Sequence, residues 1–348
     1  MSPAMRSFRQ FLLWIFEFAV LGVAACCGIA AVASQGGRWN DRLDLLTHFT
    51  PVWLAGGLAS LLLAIWWRPG LHKSAAVGFA LAAVITAGAT MTPDLIRRAQ
   101  PLAPPSTGKN LKVIEFNAWK MNDNPARVAQ WLAQERPDVA VIIEATPALE
   151  TQVRGATGMH MFEGSGAVIF TREKPVGEWV AWGTRELPGT STELTWVDLP
   201  GPDGRPFSVM GVHTNWPIPA RHAWGQGRKM AAVLQTLDRT RAIFVGDFNS
   251  TQWSFRQRAV DASFGLERRD HAIPTWPARL PMARSAPFPV PFLSIDHAYA
   301  GPYWKTVKIA RGPRMGSDHY PLVMTFAWSP PVRRPVRDGP IDVRKPRD

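Results

Sequence analysis

Cysteine is nearly missing from this 348-residue sequence, and charge is missing from long stretches near its N-terminus. The only two cysteines, Cys26 and Cys27, are adjacent within one apolar run. The rest of the chain can therefore hold neither a disulfide nor a thiolate metal site, and cysteine usage leaves the redox compartment open. No residue from Pro51 to Trp67 or from Ser74 to Thr92 is charged, and Phe11 to Ala33 contains one charge, Glu17. A helix needs roughly 20 mainly apolar residues to cross a bilayer. Three spans are predicted, at about 11–33, 51–67 and 74–92, within an anchor of residues 1–100. The alternative for the first is a cleaved signal peptide, because Arg6 and Arg9 precede it and Ala31-Val32-Ala33 ends it. Glu17 lies about two turns inside that span, near enough to the boundary to reach headgroups.

The formal charge of +12 invites a nucleic-acid reading, and its distribution weakens it. Residues 1–110 carry +5, residues 111–328 carry +4 and residues 329–348 carry +3. A dedicated nucleic-acid binder concentrates positive charge on the binding domain, whereas most of this excess lies elsewhere and equally suits anionic lipid. The sequence has no internal repeat. Residues 101–110, rich in Pro, Ser, Thr and Gly, read as a linker, and 329–348, with almost no apolar content, as a disordered basic tail.

Between them, short strands dominate. Leu111 to Phe116 alternates as a half-buried strand does, and Asp138 to Ile143 is the continuous apolar run of an interior strand. Further strands are predicted at 167–171, 179–182, 193–199, 207–213, 242–247, 293–299, 307–310 and 322–326. Helices are predicted at 125–135, 220–237 and 255–262. The pattern is that of an α+β two-sheet sandwich with helices on its outer faces. Arg269 to Pro291, rich in Pro and Arg, reads as a long loop.

Chemistry-bearing residues gather at strand ends. Ile243-Phe244-Val245-Gly246 delivers Asp247 and, two residues later, Asn249; positions two apart on a strand share a face, which suits a hydrated metal and a phosphate oxygen. An Asx-turn closing the strand is the plainer reading of the same residues. Gly316-Ser317-Asp318-His319 precedes the last strand, and an adjacent Asp and His can divide cation binding from proton transfer; a polar loop is the alternative. In Ser294-Ile295-Asp296-His297 a carboxylate ends an apolar strand, where a buried Asp can orient a catalytic imidazole. His297 itself reads as a packed or exposed strand histidine. Asn117 and Glu144 follow two early strands and either serve a hard cation, which takes oxygen ligands, or cap helices. His213 ends another strand with a ring able to contact phosphate.

The series Asn117, Glu144, His213, Asp247 with Asn249, Asp296, Asp318 with His319 resembles the endonuclease/exonuclease/phosphatase superfamily, which includes deoxyribonuclease I, abasic-site endonucleases, inositol-polyphosphate phosphatases and sphingomyelinases. The resemblance covers about 111–328. It implies a four-layer αββα sandwich, here preceded by three transmembrane helices, and a Mg²⁺ or Mn²⁺ ion held by Glu144 with Asn117 and Asp318 in support. It also implies that Asp247 and Asn249 hold the attacking water and the phosphate. His319, oriented by Asp296, would be the base or a phosphate stabiliser, and the roles of Asp247 and His319 are exchangeable. His213 would grip a non-bridging oxygen. Nuclease members pair that histidine with a carboxylate from an earlier strand, where this sequence offers only Glu163.

The membrane layout looks more like bacterial proteins linked to glycopeptide resistance and polyprenyl-pyrophosphate removal. The expected activity is therefore hydrolysis of a phosphate ester, phosphodiester or pyrophosphate, with lipid phosphate favoured, membrane lipid as surroundings and no protein partner inferable. Cleavage of DNA or RNA is the rival, and a non-catalytic scaffold or sensor a third reading. Three spans put the catalytic part across the membrane from the N-terminus, although the Lys and Arg count does not choose a side: Arg6, Arg9, Arg68 and Lys73 face Arg38, Arg42, Arg97 and Arg98. A multi-pass bacterial inner-membrane protein with its catalytic domain in the periplasm or outside the cell is expected.

Overall fold

A computed structural model describes residues 3–99, 101–105, 110–164, 166–181, 194–218, 220–280 and 286–330. The basic tail from 331 onward, Trp182 and Glu193 at predicted strand ends, and parts of the linker and the 269–291 loop lie outside the described residues.

The N-terminal part contains α1 (Pro3–Ser34), a single turn α2 (Asp41–Asp44), α3 (Thr50–Ala64) and α4 (Leu71–Arg98). Three helical stretches, Ser7–Arg38, Asp41–Ala64 and Leu71–Arg98, are long and apolar enough to cross a membrane. They meet through small residues. A Cβ added at Gly57 would come 2.9 Å from the Ala83 Cβ, and Ala24, Ala76 and Ala80 are buried at the same seam. Small side chains let helix backbones approach closely where no hydrophobic gradient drives association. The outer faces carry exposed Phe11, Trp14, Leu62 and Ile85.

The remainder is two six-stranded sheets. The first has the order β11 (Trp304–Arg311), β12 (Leu322–Trp328), β1 (Asn110–Asn117), β2 (Val139–Ile143), β4 (Val168–Thr171), β3 (His160–Glu163). The second has the order β5 (Gly177–Ala181), β6 (Leu194–Pro200), β7 (Pro206–His213), β8 (Ile243–Asp247), β10 (Asp296–Ala300), β9 (Glu267–Arg268). Only β1/β2 and β7/β8 are parallel, and parallel neighbours need a crossover. Helices α5 (Pro125–Glu135) and α7 (Ala220–Gln235) supply the two crossovers, while α6 (Pro147–Thr157) and α8 (Phe255–Phe264) complete the outer layers.

The uninterrupted apolar run of β2 follows from burial on both faces. Val139, Val141 and Ile143 enter the core between the sheets, while Ala140 and Ile142 enter the core under α5 and α6. On β8, Ile243 and Val245 face the inter-sheet core and Phe244 faces the cluster under α7 and α8. The result is four layers, αββα.

Three sequence expectations change. Strand β1 is not half-buried, because its polar position Glu115 is fully buried and faces the second sheet. Strand β10 begins at Asp296 instead of running from 293, so Asp296 starts a strand and does not end one. The 269–291 loop is pinned by bridges Trp276↔Leu293 and Arg279↔Pro287 and by Ala278 N–H donating to Asp318 O (2.6 Å).

Candidate active site

Register explains how distant residues converge. Asn117 pairs with Ile143, so Glu144 emerges beside it at the ends of β1 and β2. In the other sheet His213 pairs with Asp247 across β7/β8, and Asp247 pairs with Asp296 across the antiparallel β8/β10. An antiparallel strand that starts with Asp296 delivers it to the same edge at which β8 finishes. The two clusters meet across the sandwich where Asn117 Nδ2 donates to Asp247 Oδ2 (2.9 Å).

Three buried side chains, Asp247, Asp296 and His319, have ligand-type atoms within 4.8 Å of one another. Asp296 accepts from His319 Nδ1 through both oxygens (2.9 and 3.1 Å), and His319 Nε2 lies 3.6 Å from Asp247 Oδ2. Burial opposes charge on this ring, but Asp296, Asp247 and Asp318 outweigh it and push His319 up to about 10. The ring's hydrogen bonds to Asp296 and its approach to Asp247 join the three groups in one buried cluster of opposite charges. Burial, opposed by His319 and reinforced by Asp296, raises Asp247 above the usual carboxylate range.

Asp247 Oδ1 accepts from the Asn249 N–H (2.8 Å), so the Asx-turn and the site are the same structure. Asn249 has left the strand, with φ +48°. Its Nδ2 donates to Thr214 O (2.8 Å) and lies 3.3 Å from His213 Nε2. His213 Nε2 stands 3.7 Å from Asp247 and 3.8 Å from Glu144. These are the carboxylate neighbours of His213; Glu163 lies on the edge strand β3.

Glu144 also sits at positive φ (+53°), with Oε2 accepting from the Lys120 N–H (3.1 Å). Its side chain is 20% exposed, so the carboxylate opens to water. Asn117 Oδ1 accepts from the Trp119 N–H (3.0 Å), and Asp318 Oδ2 from Trp276 Nε1 (3.2 Å). Each of these oxygens is oriented by one donor and retains lone pairs. Oxygen donors of this kind, with Glu144 part-exposed and Asn117 buried, suit a hard divalent cation that keeps several waters.

The structure also shows groups that sequence reasoning passed over. Glu115 lies beneath the site with neither carboxylate oxygen hydrogen-bonded, and burial, then Asp296, Asp247 and Asp270, push its carboxyl well above its usual range. His297 is packed, as expected for a strand histidine, but is bonded at both nitrogens, to Asp270 Oδ2 (2.6 Å) and Ser250 O (2.8 Å). Asp270 carried no local signal, since it sits in an irregular stretch 27 positions from its partner. The rim of the site is aromatic. Trp216, just past His213, and Trp276 lie edge to face with centroids 6.1 Å apart, and Arg279 lies over Trp119.

Two facing mixed sheets whose strand ends collect carboxylates, amides and histidines define a phosphoesterase-type fold. The chain belongs to the Endonuclease/Exonuclease/phosphatase family, whose model matches residues 114–319; these are hydrolases that act on ester bonds. Among solved structures, the chain is similar to an endonuclease/exonuclease/phosphatase family protein from Bacteroides thetaiotaomicron, at 17% identity and a TM-score of 0.52, covering 64% of this chain and 100% of that one. It is similar to a mannosyl-6-phosphatase from the same organism, at 17% identity and a TM-score of 0.51, covering 63% and 100%. A functionally unknown conserved protein from Enterococcus faecalis gives 16% identity, a TM-score of 0.51 and coverage of 63% and 100%. No curated protein matches the chain.

Proposed function

We propose that the chain is a membrane-anchored phosphoesterase, dependent on Mg²⁺ or Mn²⁺, that hydrolyses a lipid-linked phosphate ester, phosphodiester or pyrophosphate by in-line attack of water. Glu144, with Asn117 and Asp318 in support, would hold the cation, which supplies charge neutralisation as negative charge builds on the phosphate oxygens. Asp247 and the Asn249 carbonyl oxygen orient the water, and Asp247 takes its proton. His319, held as an imidazolium by Asp296, donates to a phosphate oxygen, and His213 steadies another. What supports giving the base to Asp247 is that both Asp296 oxygens face His319 Nδ1, which favours the ring as the charged donor.

The observation that carries the lipid preference is the meeting of anchor and site. His48, between α1 and α3, touches Thr251, two residues from Asn249 (3.0 Å). Around the opening, Trp216 is 58% and Ile218 70% exposed, an apolar rim suited to a membrane surface or a lipid tail. The mild charge of residues 111–328 also favours a lipid over a polynucleotide. In this reading residues 1–100 form the anchor, 101–110 the linker and 111–328 the catalytic domain. We place the protein in a bacterial inner membrane, with that domain in the periplasm or outside the cell. Protease added outside spheroplasts should digest the domain; digestion only after cytoplasmic access contradicts the orientation.

The deciding assay compares phosphate release from a polyprenyl pyrophosphate and from phospholipid with nicking of plasmid by the same detergent-purified chain, with and without EDTA. Metal-dependent lipid hydrolysis without nicking is expected. Nicking without lipid hydrolysis makes it a nuclease, and no turnover with any substrate returns the scaffold reading.

A further inference from the structure

We infer that the connection between the first two apolar helices is part of the catalytic unit: Asp44 and His48 are positioning residues that hold the loop 249–256, and with it Asn249, in working geometry. The inference rests on the proposed function for what the loop does, and on contacts alone for what holds it.

The loop has no regular structure between β8 and α8, yet Thr251, Gln252 and Trp253 are buried. Irregular backbone usually runs over the surface, because buried polar groups need partners. Here partners come from the membrane segment. Asp44 Oδ1 accepts from the Phe255 N–H (2.8 Å), and its Oδ2 from Ser254 Oγ (2.7 Å) and the Arg256 N–H (3.2 Å). A carboxylate some 210 residues away thus caps the N-terminus of α8, where a negative charge opposes the positive end of the helix dipole. By donating to Asp44, Ser254 Oγ is turned to accept from the Gln257 N–H (3.0 Å), so the local cap is oriented by the distant one.

His48 fixes the next turn of chain. Its Nδ1 accepts from the Thr251 N–H (3.1 Å) and lies 3.0 Å from Thr251 Oγ1, which requires a neutral ring with a bare Nδ1. From the opposite side His297 Nε2 donates to Ser250 O. Ser250 and Thr251 are therefore held between a side chain of the second sheet and one of the anchor, and Asn249 is the adjoining residue. A passive tether needs no buried, charge-assisted contact in register with a catalytic loop. Losing either group orphans buried amides and frees Asn249 to shift; a misplacement of about 1 Å costs on the order of 10²-fold in rate.

The test uses the full chain in detergent or nanodiscs with bis(p-nitrophenyl) phosphate, a soluble diester for which access to the bilayer is irrelevant. His48→Ala and Asp44→Ala should lower kcat by about 10- to 100-fold with KM within about twofold. His48→Asn, whose amide oxygen can take the Thr251 N–H, should return kcat to within about threefold of wild type. Asp41→Asn removes a surface pair with Arg256 from the same segment and should leave kcat unchanged, since exposed pairs contribute little. Hydrogen exchange should quicken in peptides covering 248–258 of both alanine variants while β1 and β2 stay protected. Unchanged kcat and unchanged exchange in His48→Ala overturns the inference, as does loss of activity in Asp41→Asn equal to that in His48→Ala. Should an alanine variant not fold, Asp44→Asn, which gives up one of the two acceptor oxygens facing Ser254, Phe255 and Arg256, carries the comparison, and unchanged kcat with unchanged exchange there overturns the inference. Exchange needs no substrate, so a wild-type chain that hydrolyses nothing refutes the proposed function while the loop measurement still decides this one.

Discussion

Replacing His319 by Asn should remove a specific part of the pH dependence of stability. In the folded protein the ring is pushed up to about 10 by Asp296, Asp247 and Asp318 against the opposing effect of burial, whereas the unfolded chain has the ordinary value of 6.5. A histidine with a raised folded pKa stabilises fully below the unfolded value and loses that contribution as pH rises through the folded one. The window is therefore pH 6.5 to 10. Between pH 7 and 9 the folded ring stays mostly charged while the unfolded one is mostly neutral. At about 1.36 kcal/mol per unit, this one group should cost about 2 to 3 kcal/mol of stability across that interval. Urea unfolding of wild type and His319→Asn at pH 7, 8 and 9, in EDTA to keep divalent cations from opposing the ring's charge, compares the two slopes, since titrations away from the ring and its partners Asp296, Asp247 and Asp318 are shared. Parallel profiles for the two proteins would refute the reading that Asp296 holds this histidine charged.

Asp247→Ala and His319→Ala should each lower turnover by about 10³-fold while circular dichroism and thermal melting report an intact fold; undiminished turnover by either removes the assignment. Glu144→Gln should raise the Mn²⁺ concentration for half-maximal activity by about 10- to 100-fold, and excess metal should restore most of the rate. Glu115→Gln should be no less stable than wild type at pH 5 and more stable at pH 8. An acid raised by burial loses stability as pH climbs from its unfolded value toward its folded one, and the amide has no proton to lose; a melting temperature that falls in the variant at pH 8 contradicts this.

Legibility in the sequence followed the range of the forces involved. Helix α5 spans the predicted 125–135, because its start and stop are written locally: Asn124 caps the Arg127 N–H, Pro125 takes the first position and Arg136 turns left-handed at its end. The eight candidate residues could be picked out because each lies at a strand terminus or a few residues outside one, where the alternation of apolar residues breaks. Strands β3 and β9 were missed because two to four residues carry no period, and pairing to β4 and β10 alone makes them strands. Helix α6 was missed although Thr146, Pro147 and Gly158 mark its ends, so its signals were present and unread. Glu115 misled, since a glutamate within an alternating strand reads as solvent-facing until a second sheet is laid over it. Asp270 and the anchor contacts of Asp44 and His48 were not legible at all. Each joins residues tens to hundreds of positions apart, through geometry that no local pattern encodes.

The charge balance of the site argues for a cation before any family knowledge does. Asp296 is paired with His319 at 2.9 Å, and burial without partners disfavours the charged form of Glu115. Asp247 and Glu144 remain, flanking His213 at 3.7 and 3.8 Å. A phosphate arriving at that opening meets two carboxylates and one histidine, and like charges about 4 Å apart repel by about 4 kcal/mol at the effective dielectric of a protein surface. His213 alone offsets at most one of them, and only when protonated. A divalent cation held by Glu144 would offset this repulsion, and in the proposed mechanism Asp247 would then be the base, beside His319 and its Asp296 partner. Substrate binding and proton transfer thus depend on one ion for opposite reasons, so chelation should abolish affinity together with rate.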